Sequence, residues 1–218
     1  MDKKIWPSIL AASMLELGQE INCLIEHDIH QLHLDIMDNH YVPNLSFGPE
    51  LCQQIHQQYP QLTIDVHLMI TPVQDMIEKF AKAGASRISI HGDACIHLHR
   101  HLHRIRELGC HAGLVLNPAQ GIEDLTWCHH LLDYVLIMSV NPGYGGQKCL
   151  PEVLEKVKII HQKYPKLSIM VDGGIQLENI EDFIHHGASD FVVGSALFKA
   201  SNYPQCIQLY QDLLKKNV

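Results

Sequence analysis

Leu32-His33-Leu34-Asp35-Ile36-Met37 and Leu62-Thr63-Ile64-Asp65-Val66-His67-Leu68-Met69-Ile70 decide the fold. In both, aliphatic residues alternate with polar ones at the two-residue period of a strand. Leu32, Leu34 and Ile36 share one face, and His33, Asp35 and Met37 the other. In the second stretch Ile64, Val66, Leu68 and Ile70 oppose Asp65, His67 and Met69. Each is followed by a helix-length amphipathic pattern, at 49–58 and 73–83. The same succession runs through the whole chain. Strands are expected at 5–10, 32–37, 62–70, 87–91, 112–117, 134–140, 168–172 and 191–194. Helices are expected at 15–26, 49–58, 73–83, 97–108, 122–130, 151–163, 177–186 and 203–216. Strict strand-then-helix alternation argues for a parallel sheet, and eight units in 218 residues argue for one closed (β/α)₈ TIM barrel domain over 1–218.

Two internal echoes support this register. Tyr59-Pro60-Gln61-Leu62 recurs as Tyr164-Pro165-Lys166-Leu167, and Gly84-Ala85-Ser86 recurs as Gly187-Ala188-Ser189. The first echo aligns His67 of the third strand with Asp172 of the seventh, directly across an eight-strand ring.

The bulk composition excludes several classes. Apolar residues make up 46%, ample for a core, yet the apolar runs are strand-sized and none approaches a membrane span. The chain starts Met1-Asp2-Lys3-Lys4 and passes directly into a strand, and its seven cysteines are scattered. Both features predict reduced thiols in a cytoplasmic protein. Net charge is −8 with no basic stretch, which argues against nucleic acid. An acidic protein that takes an anionic ligand must supply local attraction through a metal or aimed backbone N–H groups.

The outer face of a helix-wrapped barrel is apolar, so the face bearing His33, Asp35, Asp65 and His67 points inward. Charge there is costly unless paired or bound to metal. Any one of these residues reads equally well as a hydrogen-bonded core group. His33, Asp35, His67 and Asp172 together, near the C-terminal ends of their strands, read better as a site. Two imidazoles and two carboxylates suit Zn²⁺, Fe²⁺, Mn²⁺ or Co²⁺. Gly143-Tyr144-Gly145-Gly146, Gly173-Gly174 and Gly194-Ser195 follow strands six, seven and eight. Three glycine turns at one end of neighbouring strands predict a phosphate cradle of backbone N–H groups.

Longer motifs add a family resemblance. Pro7-Ser8-Ile9-Leu10-Ala11-Ala12, the run from His33 to Asn44, Asp65-Val66-His67-Leu68-Met69, Gly113-Leu114-Val115-Leu116-Asn117-Pro118, the run from Met138 to Gln147, and Val171-Asp172-Gly173-Gly174-Ile175 resemble the ribulose-phosphate 3-epimerase family. The resemblance implies one divalent metal on His33, Asp35, His67 and Asp172, with Asp35 and Asp172 as the acid/base pair. It also implies substrate contacts from Ser8, His67, Asp172 and the glycine turns, and a homo-oligomer. One departure is His91-Gly92-Asp93, where His-Pro-Glu is expected; it bears on the shape of that loop.

Inverting C3 of a 2-ketose removes a proton beside the carbonyl and returns one to the opposite face. A single base tends to restore the starting isomer, so two carboxylates on opposite sides are needed. The expected reaction interconverts D-ribulose 5-phosphate and D-xylulose 5-phosphate through an enediolate, in the pentose phosphate pathway. Met37, Met69 and Met138 read as core filler and as groups that dry the site. A 3-epimerase of a six-carbon ketose 6-phosphate is the nearest alternative, followed by a barrel that binds a sugar phosphate without turnover. A metal-free decarboxylase would need a lysine where His67 stands. Lys148 and Lys199 lie near the loops, but no lysine is placed for a Schiff base. His97, His99, His101 and His103 alternate on a helix with no third ligand in view, and are read, like Cys128-His129-His130, as a solvated face.

Overall fold

The computed structural model describes residues 3–217. Strands β1 (Lys4–Pro7), β2 (Gln31–Met37), β3 (Thr63–Met69), β4 (Arg87–His91), β5 (His111–Leu116), β6 (Tyr134–Met138), β7 (Ser168–Asp172) and β8 (Asp190–Val193) form one sheet. All ladders are parallel, in the order β1-β8-β7-β6-β5-β4-β3-β2. A parallel bridge between Ser8 and His33 brings the two ends together, so the sheet is a nearly closed barrel. The helices alternate with the strands as α1 (Leu17–Glu26), α2 (Pro49–Gln58), α3 (Gln74–Lys82), α4 (Leu98–Glu107), α5 (Glu123–Cys128), α6 (Val153–Lys163), α7 (Ile180–His185), α8 (Ser195–Phe198) and α9 (Tyr203–Lys216). The expected (β/α)₈ barrel is the fold observed.

Two apolar layers follow from the alternation. Leu32, Leu34, Ile36, Ile64, Val66 and Leu68 are buried against helix residues such as Leu24, Ile55 and Phe80. Inside the ring, Trp6, Val115, Tyr134, Leu136, Met138 and Met170 fill the interior.

The echoes in sequence are echoes in structure. Tyr59 and Tyr164 end α2 and α6 with nearly the same backbone, φ/ψ −130/64 and −132/65. Gly84 and Gly187 both take positive φ, +99 and +106, and each lies so close to a histidine ring, His56 or His161, that a Cβ would collide with it. Only glycine meets both demands at that helix-to-strand turn.

Two strand ends and one added helix depart furthest from expectation. β1 stops at Pro7, and Ile9–Ala11 wind into a 3₁₀ turn with Ile9 wholly buried. The apolar run Ile9-Leu10 reads as strand, but Ile9 joins the main core and Leu10 packs against Met37, Val42 and Met69 at the mouth. β6 stops at Met138 because the Ser139 carbonyl accepts from Leu150 N–H of the returning loop. The extra helix α8, one turn long, sits between β8 and α9, directly after Gly194.

Candidate active site

β2, β3 and β7 deliver the four polar side chains to one point at the C-terminal mouth. One donor atom from each of His33, Asp35, His67 and Asp172 lies within 4.8 Å of all the others. His33 Nε2 is 3.3 Å from Asp35 Oδ1 and 3.8 Å from Asp172 Oδ2. His67 Nδ1 is 3.2 Å and 3.6 Å from the same two oxygens. Strands β3 and β7 are four apart in the ring, so the contact from His67 to Asp172 spans the barrel axis. His33 Nε2 is buried and has no hydrogen-bond partner. An orphaned lone pair aimed at two carboxylates and a second imidazole fits a divalent cation, and the N₂O₂ set suits a first-row metal.

Groups behind these four fix their orientation. Asp65 Oδ2 holds His33 Nδ1 at 2.7 Å, which places the proton on Nδ1 and leaves Nε2 free. Asp65 also accepts from Tyr134 Oη at 2.6 Å and lies 3.2 Å from Arg87 Nε. The Arg87 guanidinium is sandwiched between the Trp6 and Tyr134 rings, 4.1 and 3.9 Å from their centroids. On the other side, His67 Nε2 meets His91 Nε2 at 2.8 Å. Burial pushes the His91 imidazole well below its ordinary value, and His67 adds to this. Neutral His91 therefore accepts from His67 Nε2–H, which leaves the lone pair of His67 Nδ1 free to ligate a cation. Ser8 Oγ donates to Asp35 Oδ2 at 2.6 Å. Asp65 and His91 escaped the sequence reading as site residues. Their signal was present, since each lies on the inward face of its strand.

The two carboxylates are pushed apart in proton affinity. Burial and the nearby Asp35 charge raise Asp172 above the ordinary carboxylate value. Burial also opposes ionisation of Asp35, but His33 and His67 outweigh it and hold Asp35 far below that value. Carboxylates separated in this way are suited to act as an acid and a base.

Above the cluster opens a cavity of about 310 Å³. Ser8, Asp35 and Asp172 line it together with Gly143, Tyr144, Gly145, Gly146, Gly173, Gly174, Gly194 and Ser195, while His33 and His67 lie buried below. Gly174 has φ +63, and a Cβ there would meet Cys149 N at 2.5 Å, so two loops touch backbone to backbone. Asn44 Nδ2 donates to Gly143 O and Tyr144 Oη to Pro43 O, tying the β6 loop to the β2 loop. Lys199 also reaches the wall. Around His91-Gly92-Asp93, Asp93 accepts from Tyr41 Oη and Asn117 Nδ2, and Tyr41 packs on His91. The departure from His-Pro-Glu thus keeps a carboxylate at this loop.

The model of the ribulose-phosphate 3 epimerase family matches residues 4–198. The chain belongs to the ribulose-phosphate 3-epimerase family. It is 45% identical over 213 residues to the ribulose-phosphate 3-epimerase of Buchnera aphidicola subsp. Acyrthosiphon pisum, covering 96% of this chain and 93% of that one. With the ribulose-phosphate 3-epimerase of Escherichia coli it shares 40% over 216 residues, covering 97% and 96%. Among solved structures, KGPDC from Streptococcus mutans superposes with TM-score 0.74 at 13% identity, covering 99% of each chain. The 3-hexulose-6-phosphate synthase of Salmonella typhimurium does so with TM-score 0.75 at 15% identity, covering 99% of this chain and 100% of that one. At such identities the two structures speak for the barrel alone. Among the described residues of this epimerase no helix is long and apolar enough to cross a membrane.

The hydrogen bond behind His33 carries a prediction for the epimerase. Asp65→Asn removes the carboxylate that fixes the His33 tautomer, and is expected to weaken divalent metal binding by roughly 10- to 100-fold. Competition against a chromogenic chelator measures this. An affinity unchanged within error would mean that Asp65 serves only Arg87.

Proposed function

We propose that this epimerase interconverts D-ribulose 5-phosphate and D-xylulose 5-phosphate by inverting C3, with Asp35 and Asp172 as the acid/base pair. The observation that carries the reading is the pair itself, two carboxylates delivered from β2 and β7 to the floor of one cavity beside two buried imidazoles. The names of the curated relatives support the five-carbon substrate.

His33, Asp35, His67 and Asp172 would hold one divalent metal. When bound, that ion supplies a Lewis acid that stabilises the negative charge of the enediolate. Asp35, ionised, takes the C3 proton on its side of the sugar. Asp172, which holds its proton more tightly, delivers one to the opposite face. In the reverse direction the roles exchange. Ser8, already donating to Asp35 Oδ2, keeps that carboxylate aimed and offers its hydroxyl to the sugar. Met37, Met69 and Met138 line the floor and limit water access to the planar intermediate. The glycine turns at 143–146, 173–174 and 194–195 would cradle the phosphate through backbone N–H groups, with Lys199 as the nearby countercharge.

Incubation with ribulose 5-phosphate in D₂O, followed at C3 by NMR, tests this reading. Xylulose 5-phosphate bearing deuterium at C3 is expected. Product formation should be lost after metal stripping and restored by a divalent ion. Full turnover in stripped protein would overturn the metal assignment. No exchange in loaded protein, together with exchange of a six-carbon ketose 6-phosphate, would overturn the substrate.

A further inference from the structure

His97, His99, His101 and His103 alternate at the start of α4, where His99 and His103 are one turn apart and share a face. The sequence offers this face no third donor, but the fold does. The 3₁₀ turn His129–Leu131 after α5 packs against α4 and sets His130 beside His99. Their ring centroids are 5.8 Å apart and their planes are inclined at 50°. His33 and His67, the imidazoles at the barrel mouth, stand 5.7 Å apart at 52°. The outer pair thus repeats the spacing and tilt of the inner one. Imidazole nitrogens bind Zn²⁺ at about 2.0–2.1 Å, which puts the ring centres of two tetrahedral ligands about 5–6 Å apart.

The neighbouring groups leave this pair available. His99, His103 and His130 are all exposed, and among the described residues no side-chain hydrogen bond engages His99 or His130. His103 turns Nδ1 toward Glu107 at 3.4 Å, which leaves Nε2 free. His129 is occupied: its Nδ1 is 3.1 Å from the Leu125 carbonyl and its ring lies 5.2 Å from that of Tyr164. It meets His130 edge-on and buttresses it.

We propose that His99 and His130, joined by rotation of the exposed His103 one turn along α4, form a second divalent-metal site on the outer wall of the barrel, distinct from the mouth cluster, whose ligand atoms already converge. An all-imidazole donor set selects late first-row ions such as Zn²⁺ and Ni²⁺ over Mg²⁺ or Ca²⁺. Three neutral ligands leave the ion its full charge in an exposed position. Binding there is weaker and faster to exchange than at the buried mouth, where two carboxylates contribute.

The test is calorimetric titration of Ni²⁺ into protein whose mouth site has been filled and the excess ion removed. One further equivalent per chain is expected. His99→Ala and His130→Ala should each weaken it at least as much as loss of a hydrogen-bond partner behind a ligand, roughly 10- to 100-fold. His103→Ala should weaken it in the same direction. His97→Ala and His129→Ala should leave it in place. All five exposed positions lie outside the cavity, so epimerase turnover should be unchanged and report an intact fold. The proposal falls if wild-type protein takes no further equivalent, or if binding survives in His99→Ala and His130→Ala. It also falls if His97→Ala weakens binding equally, since that would show diffuse attraction to a histidine-rich surface.

Discussion

Asp172→Asn should lower kcat for epimerisation by about 10²- to 10⁴-fold, the usual contribution of a positioned acid or base. The variant cannot deliver a proton on the Asp172 side, while Asp35 still removes one on its own side. Deuterium exchange at C3 should therefore persist for one epimer and vanish for the other. Asp35→Asn should invert the pattern. This asymmetry separates a lost acid/base group from a lost metal, because a missing ion abolishes exchange for both epimers. Metal content must be measured in the same samples, since Asp172 Oδ2 lies within 3.8 Å of both imidazole nitrogens that would share the ion. Epimerisation within tenfold of wild type, or equal loss of exchange in both epimers of fully loaded Asp172→Asn, would remove Asp172 from the acid/base pair.

Arg87→Ala should destabilise the barrel by about 3 kcal/mol, the low end of the range for removing one partner of a buried ion pair. The low end applies because the Arg87 side chain is still 12% exposed. Arg87 lies 3.2 Å from Asp65 and 3.8 Å from Asp190, and Trp6 Nε1 donates to the latter at 2.9 Å. Its removal leaves Asp65 wholly buried without its cation. Burial pushes the Asp65 carboxyl up, and Arg87 with its hydrogen-bond partners overrides this, holding it below the ordinary value. A carboxyl depressed in the folded state stabilises above its unfolded pKa of about 3.9 and loses that contribution as pH falls through the folded value. The gap between variant and wild type should therefore be widest near neutral pH and narrow in acid. Urea midpoints across that range measure it. A gap below about 1 kcal/mol at pH 7 would mean that water solvates Asp65 in the variant and that the network is not structural.

Eight strand-then-helix units, read outward from the alternation of 32–37 and 62–70, were enough to find the barrel. Side-chain period is fixed by backbone geometry, and an inward polar face has few uses besides a site. The strand register, which the echoed turns at Gly84 and Gly187 supported, put His33, Asp35, His67 and Asp172 toward the C-terminal ends of their strands. Local chemistry decided these features, and local chemistry is legible in a sequence.

What lay beyond the sequence depends on contacts between strands distant in the chain. Nothing near Asp65 announces that it orients His33, because the partnership exists only across the β2–β3 ladder and is shared with Arg87 of β4 and Tyr134 of β6. The opposed proton affinities of Asp35 and Asp172 come from closure of the ring, which sets one carboxylate against two imidazoles and the other against its charge. His130 reaches His99 only because α5 and its following turn pack against α4. Residue types and spacings determined the fold and the four polar groups at its mouth, whereas burial and distance, which exist only once the barrel closes, decided which groups stand behind them and how each is oriented.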